Sequence, residues 1–242
     1  MIAHTQAIIL RVIDYQESSK IITALTAEHG KIALIAKGAK RPKNKLAGVL
    51  EVGSILDVVY YYKSSRGVQT LTEASIWYSS KNFRKDFERA SILYAALELI
   101  AQLVHENEIN EPVFEFAKNF IQWVGEVEEA HLSIFAYVQL RMAEINGIGL
   151  RKNIADEKSA VYLNISSGSI SDMAEDELSY KLTENQAQFV LTSISGKSRK
   201  IFNSGLENDE LKQLVHHIDV YFKYHIDGYQ ERRSDAIFEQ ML

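Results

Sequence analysis

The feature that most constrains this chain is a change of hydrophobic period near residue 80. Before it, runs rich in Ile, Val, Leu, Tyr and Thr follow one another: residues 6–14 (QAIILRVID), 20–26 (KIITALT), 31–37 (KIALIAK), 54–63 (SILDVVYYYK) and 68–75 (VQTLTEAS). These residue types favour strands, in which successive side chains point to opposite faces. Turn-forming segments separate the runs at 16–19 (QESS), 28–30 (EHG), 38–48 and 64–67 (SSRG). Short strands at this spacing with no helical period predict a small barrel.

Beyond residue 80 the spacing is helical. Phe87, Ile92, Leu93, Ala96, Leu97, Ile100 and Leu103 fit one amphipathic helix. Val113, Phe114, Phe116, Ala117, Phe120, Ile121 and Val124 fit a second that starts near Pro112, and Leu132, Phe135, Ala136, Val138, Leu140 and Met142 fit a third that stops at Asn146-Gly147. Residues 148–180 have no clear period. Helical patterns return at about 184–194 and 209–224. The junction between the two regimes is expected at Ser79-Ser80-Lys81-Asn82.

Charge follows the same division. Residues 1–80 hold 10 Lys and Arg against 6 Asp and Glu, a net of +4, while residues 81–242 hold 17 against 26, a net of −9. Opposite signs point to two modules with different partners, the basic one facing a polyanion. The cations concentrate in residues 31–48, KIALIAKGAKRPKNKLAG, which contain no acidic residue. Lys40, Arg41, Lys43 and Lys45 form a loop cluster suited to neutralising phosphates. Pro42 fixes one φ there and biases Arg41 toward extended geometry.

Alternation sorts the strand faces. Ile32, Leu34 and Ala36 share one face and are expected in the core; Lys31, Ala33, Ile35 and Lys37 share the other. In the fourth run Leu56, Val58, Tyr60 and Tyr62 line an apolar face, with Asp57, Val59, Tyr61 and Lys63 opposite. Tyr61 is thus the candidate for stacking a base, beside Lys63 and the turn residue Arg66. The candidate nucleic-acid-binding set is Lys31, Lys37, Lys40, Arg41, Lys43, Lys45, Tyr61, Lys63 and Arg66. The alternative reading of the cluster is a solvated loop.

Other chemistry finds little support. The chain has no cysteine, which excludes disulfides, thiolate catalysis and thiolate zinc sites. Gly196-Lys197-Ser198 lacks the glycine a phosphate loop needs at position 191, which is Leu191. His217 and His225 have no ligand partner three or four positions on, so they are expected to be structural or at the surface. The glutamates at 106, 108, 111, 115, 126, 128 and 129 read as solvated, with repulsion of nucleic acid as a weaker alternative. No nucleophile elbow or paired-carboxylate motif appears, so no enzyme and no cofactor are expected. No apolar run is long enough to span a bilayer and the N-terminus lacks the basic start of a signal peptide, so no membrane contact is expected and the cytoplasm is the default location.

The stretch AIILRVIDYQESSKIITALTAEHGKIALIAKGAKRP resembles the opening of the bacterial RecO DNA repair proteins. The resemblance lies in Glu17-Ser18-Ser19-Lys20, in Thr26 with Glu28-His29-Gly30-Lys31, in Ala36-Lys37-Gly38-Ala39-Lys40 and in Leu71-Thr72-Glu73-Ala74. It covers residues 1–80 and is weaker beyond. It implies an α+β fold: an N-terminal five-stranded OB-fold barrel over 1–80, then a mostly helical domain over 81–242 with an irregular cysteine-free insertion at about 151–180. It also implies a non-catalytic recombination mediator. Such proteins bind single- and double-stranded DNA, anneal complementary strands and act with RecR to help load RecA onto strands coated by single-strand-binding protein (SSB), whose C-terminal tail some members dock. Many RecO proteins carry a four-cysteine zinc module where this chain has residues 151–180. Here Val161, Leu163, Ile165 and Ile170 are expected to hold that region instead. The sequence also admits an OB-fold RNA-binding factor, or an adaptor acting mainly through its helical domain.

Overall fold

The strands form where alternation places them: β1 (Ile2–Tyr15), β2 (Ser19–Thr26), β3 (Gly30–Ala36), β4 (Ile55–Tyr61) and β5 (Val68–Tyr78). In this computed structural model, which describes residues 1–155, 160–196 and 206–241, they close into a barrel in the order β1-β2-β3-β5-β4. All neighbours are antiparallel except β3 and β5, which run parallel from Ala33–Val68 to Ile35–Thr70. A bulge between Ile9 and Arg11 bends the long β1, which pairs with both β2 and β4.

The barrel interior takes the face expected to be apolar. Ile22, Ile32, Leu34, Ala36, Leu56, Val58, Tyr60 and Leu71 form its core, with Tyr62 packed at the edge. Tyr60 is fully buried, and its hydroxyl meets His29 Nδ1 at 2.7 Å. Burial pushes the phenol up to about 12.

The described residues group into two compact units, Met1–Glu128 and Glu129–Leu242. The first contains the barrel, a 3-10 turn at Lys81–Arg84, α1 (Phe87–Leu103) and α2 (Glu111–Glu126). Asp86 and Asn110 cap the two helices by accepting from the Arg89 and Val113 amides, and Pro112 lies in the first turn of α2. Phe87 departs from the expected apolar stripe and is 66% exposed, because the buried run of hydrophobic side chains begins a turn later at Ile92.

The second unit contains α3 (Ser133–Ile145), α4 (Glu184–Ile194), α5 (Asn208–His225) and α6 (Asp235–Met241). The stretch expected to be irregular contains a small sheet: β6 (Arg151–Asn153), β7 (Tyr162–Asn164), β8 (Ser169–Ser171) and β9 (Ser179–Lys181), in the order β6-β8-β7-β9. Leu163, Ile165 and Ile170 are fully buried there, as expected, and Val161 is half-buried. At their side, the buried Asn164 amide donates to Ser171 Oγ at 2.8 Å and Ser169 Oγ at 3.1 Å, and its carbonyl accepts from the Glu175 amide at 3.3 Å. Arg232, with a fully buried side chain, forms a two-pronged pair with Asp219 at 2.6 and 2.7 Å. Lys197 and Ser198 of the rejected phosphate loop, and residues 156–159 of the insertion, lie outside the described residues. Among the described residues no helix is long and apolar enough to cross a membrane.

Candidate nucleic-acid interface

The outer surface of the barrel can be read row by row, because residues paired across strands share a face. One row runs Arg11, Thr23, Ala33 and Val68 through β1, β2, β3 and β5. The next runs Ile13, Ile21, Ile35, Thr70, Tyr61 and Ile2 through all five strands. Neither row contains a carboxylate. Ile2, Ile13, Tyr61 and Val68 are among the exposed large hydrophobics, and Ile21 and Ile35 are half-buried. The next rows along β1, β4 and β5, His4–Val59–Glu73 and Gln6–Asp57–Ser75, carry acidic side chains, so Glu73 lies one row from Tyr61.

The expected cations border the acid-free face unevenly. Lys37 is exposed two positions beyond Ile35, and Lys63 and Arg66 are exposed in the turn between β4 and β5. The buried Gln69 shapes that turn: its amide group accepts from the Lys63 backbone amide at 2.9 Å and donates to the Arg66 carbonyl at 2.7 Å. Tyr61 is 52% exposed, while its neighbours Tyr60 and Tyr62 turn toward the core.

The loop after β3 is folded rather than loose. Gly38 adopts φ +70, successive turns link Gly38 to Arg41, Arg41 to Asn44 and Asn44 to Ala47, and the Asn44 side chain donates to the Lys37 carbonyl. Ala39, Leu46 and Leu50 plug it into the barrel core. Arg41, Lys43 and Lys45 stay exposed as a result. Lys40 is tied back: its amide donates to the Ser18 carbonyl, and its ammonium pairs with Asp14 at 3.0 Å.

Lys31 has a different environment from the other eight residues. It lies on the outward face of β3, as alternation predicts, but that end of the surface is covered within the first unit. Ile8, Leu25 and Ile55 are fully buried there although they are not part of the barrel core. Lys31 Nζ donates to the Ala101 carbonyl at 2.7 Å, in the last turn of α1, and the Lys31 carbonyl accepts from the Asn107 amide. Burial lowers its pKa, partly offset by Glu106. Alternation identifies a face, but it carries no sign of what packs on that face. Sequence reasoning also passed over Arg11, Ile13 and Ile21; in a run such as Lys20-Ile21-Ile22 the outward isoleucine looks like core.

Among the described residues no three His, Asp or Glu side chains come together as metal ligands. His225 Nε2 instead lies 2.7 Å from the Ile165 carbonyl, and His217 stacks on Tyr180.

Two family models match the chain: one described as Recombination protein O N terminal over residues 1–79, and one described as Recombination protein O C terminal over residues 84–234. A DNA repair protein RecO from Chloroherpeton thalassium is 30% identical over an alignment of 258 residues that covers all of both chains. One from Chlorobium limicola is 35% identical over 61% of this chain and 56% of its own length. One from Chlorobaculum parvum is 33% identical over 74% of this chain and 67% of its own.

Proposed function

Because this chain belongs to the RecO family, we propose that it is a non-catalytic DNA repair protein of the cytoplasm that grips DNA through its barrel. The observation that carries the reading is the set of exposed cations, at Lys37, Arg41, Lys43, Lys45, Lys63 and Arg66, at one end of two barrel rows that hold no carboxylate. Mobile cations of this kind displace counterions from phosphates without reading sequence. Tyr61 adds a ring for a base, and Lys40 adds charge once Asp14 releases it. In this reading Lys31 supports the fold of the first unit and does not touch DNA. Residues 1–80 meet nucleic acid, and the acidic helical part over 81–242 meets proteins: RecR, and the C-terminal tail of SSB. The outcome is annealing of strands and, with RecR, loading of RecA onto SSB-coated single strands.

A strand-annealing assay with and without SSB tests this, together with binding of unpaired and duplex oligonucleotides over a salt series. With about five phosphates neutralised, log affinity for an unpaired strand should fall against log salt with a slope of roughly −3.5. A flat salt response or absence of annealing would remove the reading. A strong preference for RNA over DNA of equal length would favour an RNA-binding factor instead.

A further inference from the structure

We propose that Gln69 is a positioning residue for phosphate binding: its buried carboxamide holds the turn between β4 and β5 in the shape that presents Lys63 and Arg66, and it brings no charge of its own to the site. This role rests on the DNA-binding reading above and concerns how part of that grip is kept in shape before a ligand arrives.

Alternation places Gln69 on the inward face of β5, two positions from Leu71 and paired with Leu34 on β3. An apolar side chain would fit there, yet the position holds an amide that is 1% exposed. A buried amide is costly unless its hydrogen bonds are made. Gln69 makes them to the turn. Its Oε1 accepts from the Lys63 amide at 2.9 Å, while its Nε2 donates to the Lys63 carbonyl at 3.0 Å and to the Arg66 carbonyl at 2.7 Å. The Arg66 amide closes the turn on the Lys63 carbonyl at 3.0 Å. One side chain thus fixes the backbone of both residues whose cations stand exposed.

The chemistry of the turn singles out a carboxamide. One N–H and two carbonyls face the side chain, so the group must accept and donate at once. A carboxylate has no proton to give the carbonyls, and its charge would offset the cations beside it, as Asp14 does for Lys40. A lysine or arginine could not accept from the Lys63 amide. The loop after β3 repeats the device: Asn44 donates to the Lys37 carbonyl at 3.2 Å and accepts from the Leu46 amide at 2.8 Å, amid Arg41, Lys43 and Lys45. Backbone ordered at folding does not have to be ordered again when a phosphate binds.

Binding of a labelled oligothymidine by the full chain over a salt series tests this, with Gln69→Met and Gln69→Leu each made in the wild type and in Lys63→Ala/Arg66→Ala. Thermal melts check folding. In the wild type each Gln69 variant should bind about fivefold more weakly, and the slope of log affinity against log salt should flatten by about 1, because the two cations no longer meet phosphates together. In Lys63→Ala/Arg66→Ala the same changes should cost nothing further, since a positioning residue acts through the groups it positions. Equal losses in both backgrounds, or full affinity and slope in a folded Gln69 variant, would overturn the proposal. So would failure of both variants to fold, which would make the amide a requirement of the barrel instead. Lys63→Ala/Arg66→Ala with no loss of its own would overturn it while leaving the grip of the loop after β3 standing. A wild-type chain that binds no oligothymidine would overturn the DNA-binding reading as well.

Discussion

The Lys31 ammonium lies 2.7 Å from the Ala101 carbonyl, so a barrel strand supplies the cation at the C-terminal end of α1. The helix has no basic residue of its own in its last turn. A positive charge there satisfies an otherwise open carbonyl and opposes the negative end of the helix dipole. Lys31→Met keeps most of the stem and removes the charge. It should lower stability by about 1 kcal/mol in urea unfolding and leave the oligonucleotide affinity of the folded protein unchanged. A loss of affinity without a loss of stability would return Lys31 to the DNA-binding set.

Asp14 holds Lys40 in an ion pair, and in the proposed binding mode it would compete with DNA for that lysine. The pair is at the surface, with Lys40 33% and Asp14 64% exposed, so the attraction is modest and screened by salt. Asp14→Asn should raise affinity for an unpaired strand about threefold at low ionic strength, with the gain fading above roughly 0.5 M salt. Unchanged affinity at every salt concentration would mean that Lys40 does not face the ligand.

Gly30 is constrained twice. Its φ is +64, and an added Cβ would sit 1.8 Å from the backbone oxygen of Glu108, where the segment after α1 crosses the turn between β2 and β3. Gly30→Ala should destabilise the chain by about 3 kcal/mol or more, read as a lower urea midpoint. Gly48→Ala, where nothing lies within 4 Å, is the matched control and should change little.

His217 should make the second unit acid-sensitive. Its Nδ1 is buried without a partner, its ring stacks on Tyr180 at 4.1 Å, and burial first, then His216, lower its pKa from 6.5 to about 4. The unfolded chain therefore binds this proton more readily than the folded one. The stabilising contribution is complete above pH 6.5 and is lost as pH falls toward 4. His217→Phe keeps a ring against Tyr180 and removes the titration. Melting temperature between pH 7 and 4 should fall less steeply in that variant.

Much of the barrel was legible because one of its faces is a continuous core. Ile32, Leu34 and Ala36 alternate with residues that turn outward, and the same holds for Leu56, Val58 and Tyr60. The helices with a one-sided apolar pattern were equally clear, and α4 falls at Glu184–Ile194 where its period placed it. Two things escaped for physical reasons. Strands of three residues, such as β7 and β8, are too short to show any period. Long-range packing also leaves no local mark: Lys31 and Lys37 look alike in the run 31–37, yet one is pinned against α1 and the other is exposed just after β3. In the candidate site, the loop cations could be read from composition, whereas the Ile13–Ile21–Ile35 row emerges only once the register of three strands is known.

The Asn164 cluster holds its region without metal ligation by thiolates. A thiolate zinc clip fails when zinc is scarce or when oxidants strip the metal. Here residues 163–171 are tied by an amide and two serine hydroxyls beside three fully buried aliphatic residues. The folding of this region therefore owes nothing to a thiolate, because the chain has no cysteine.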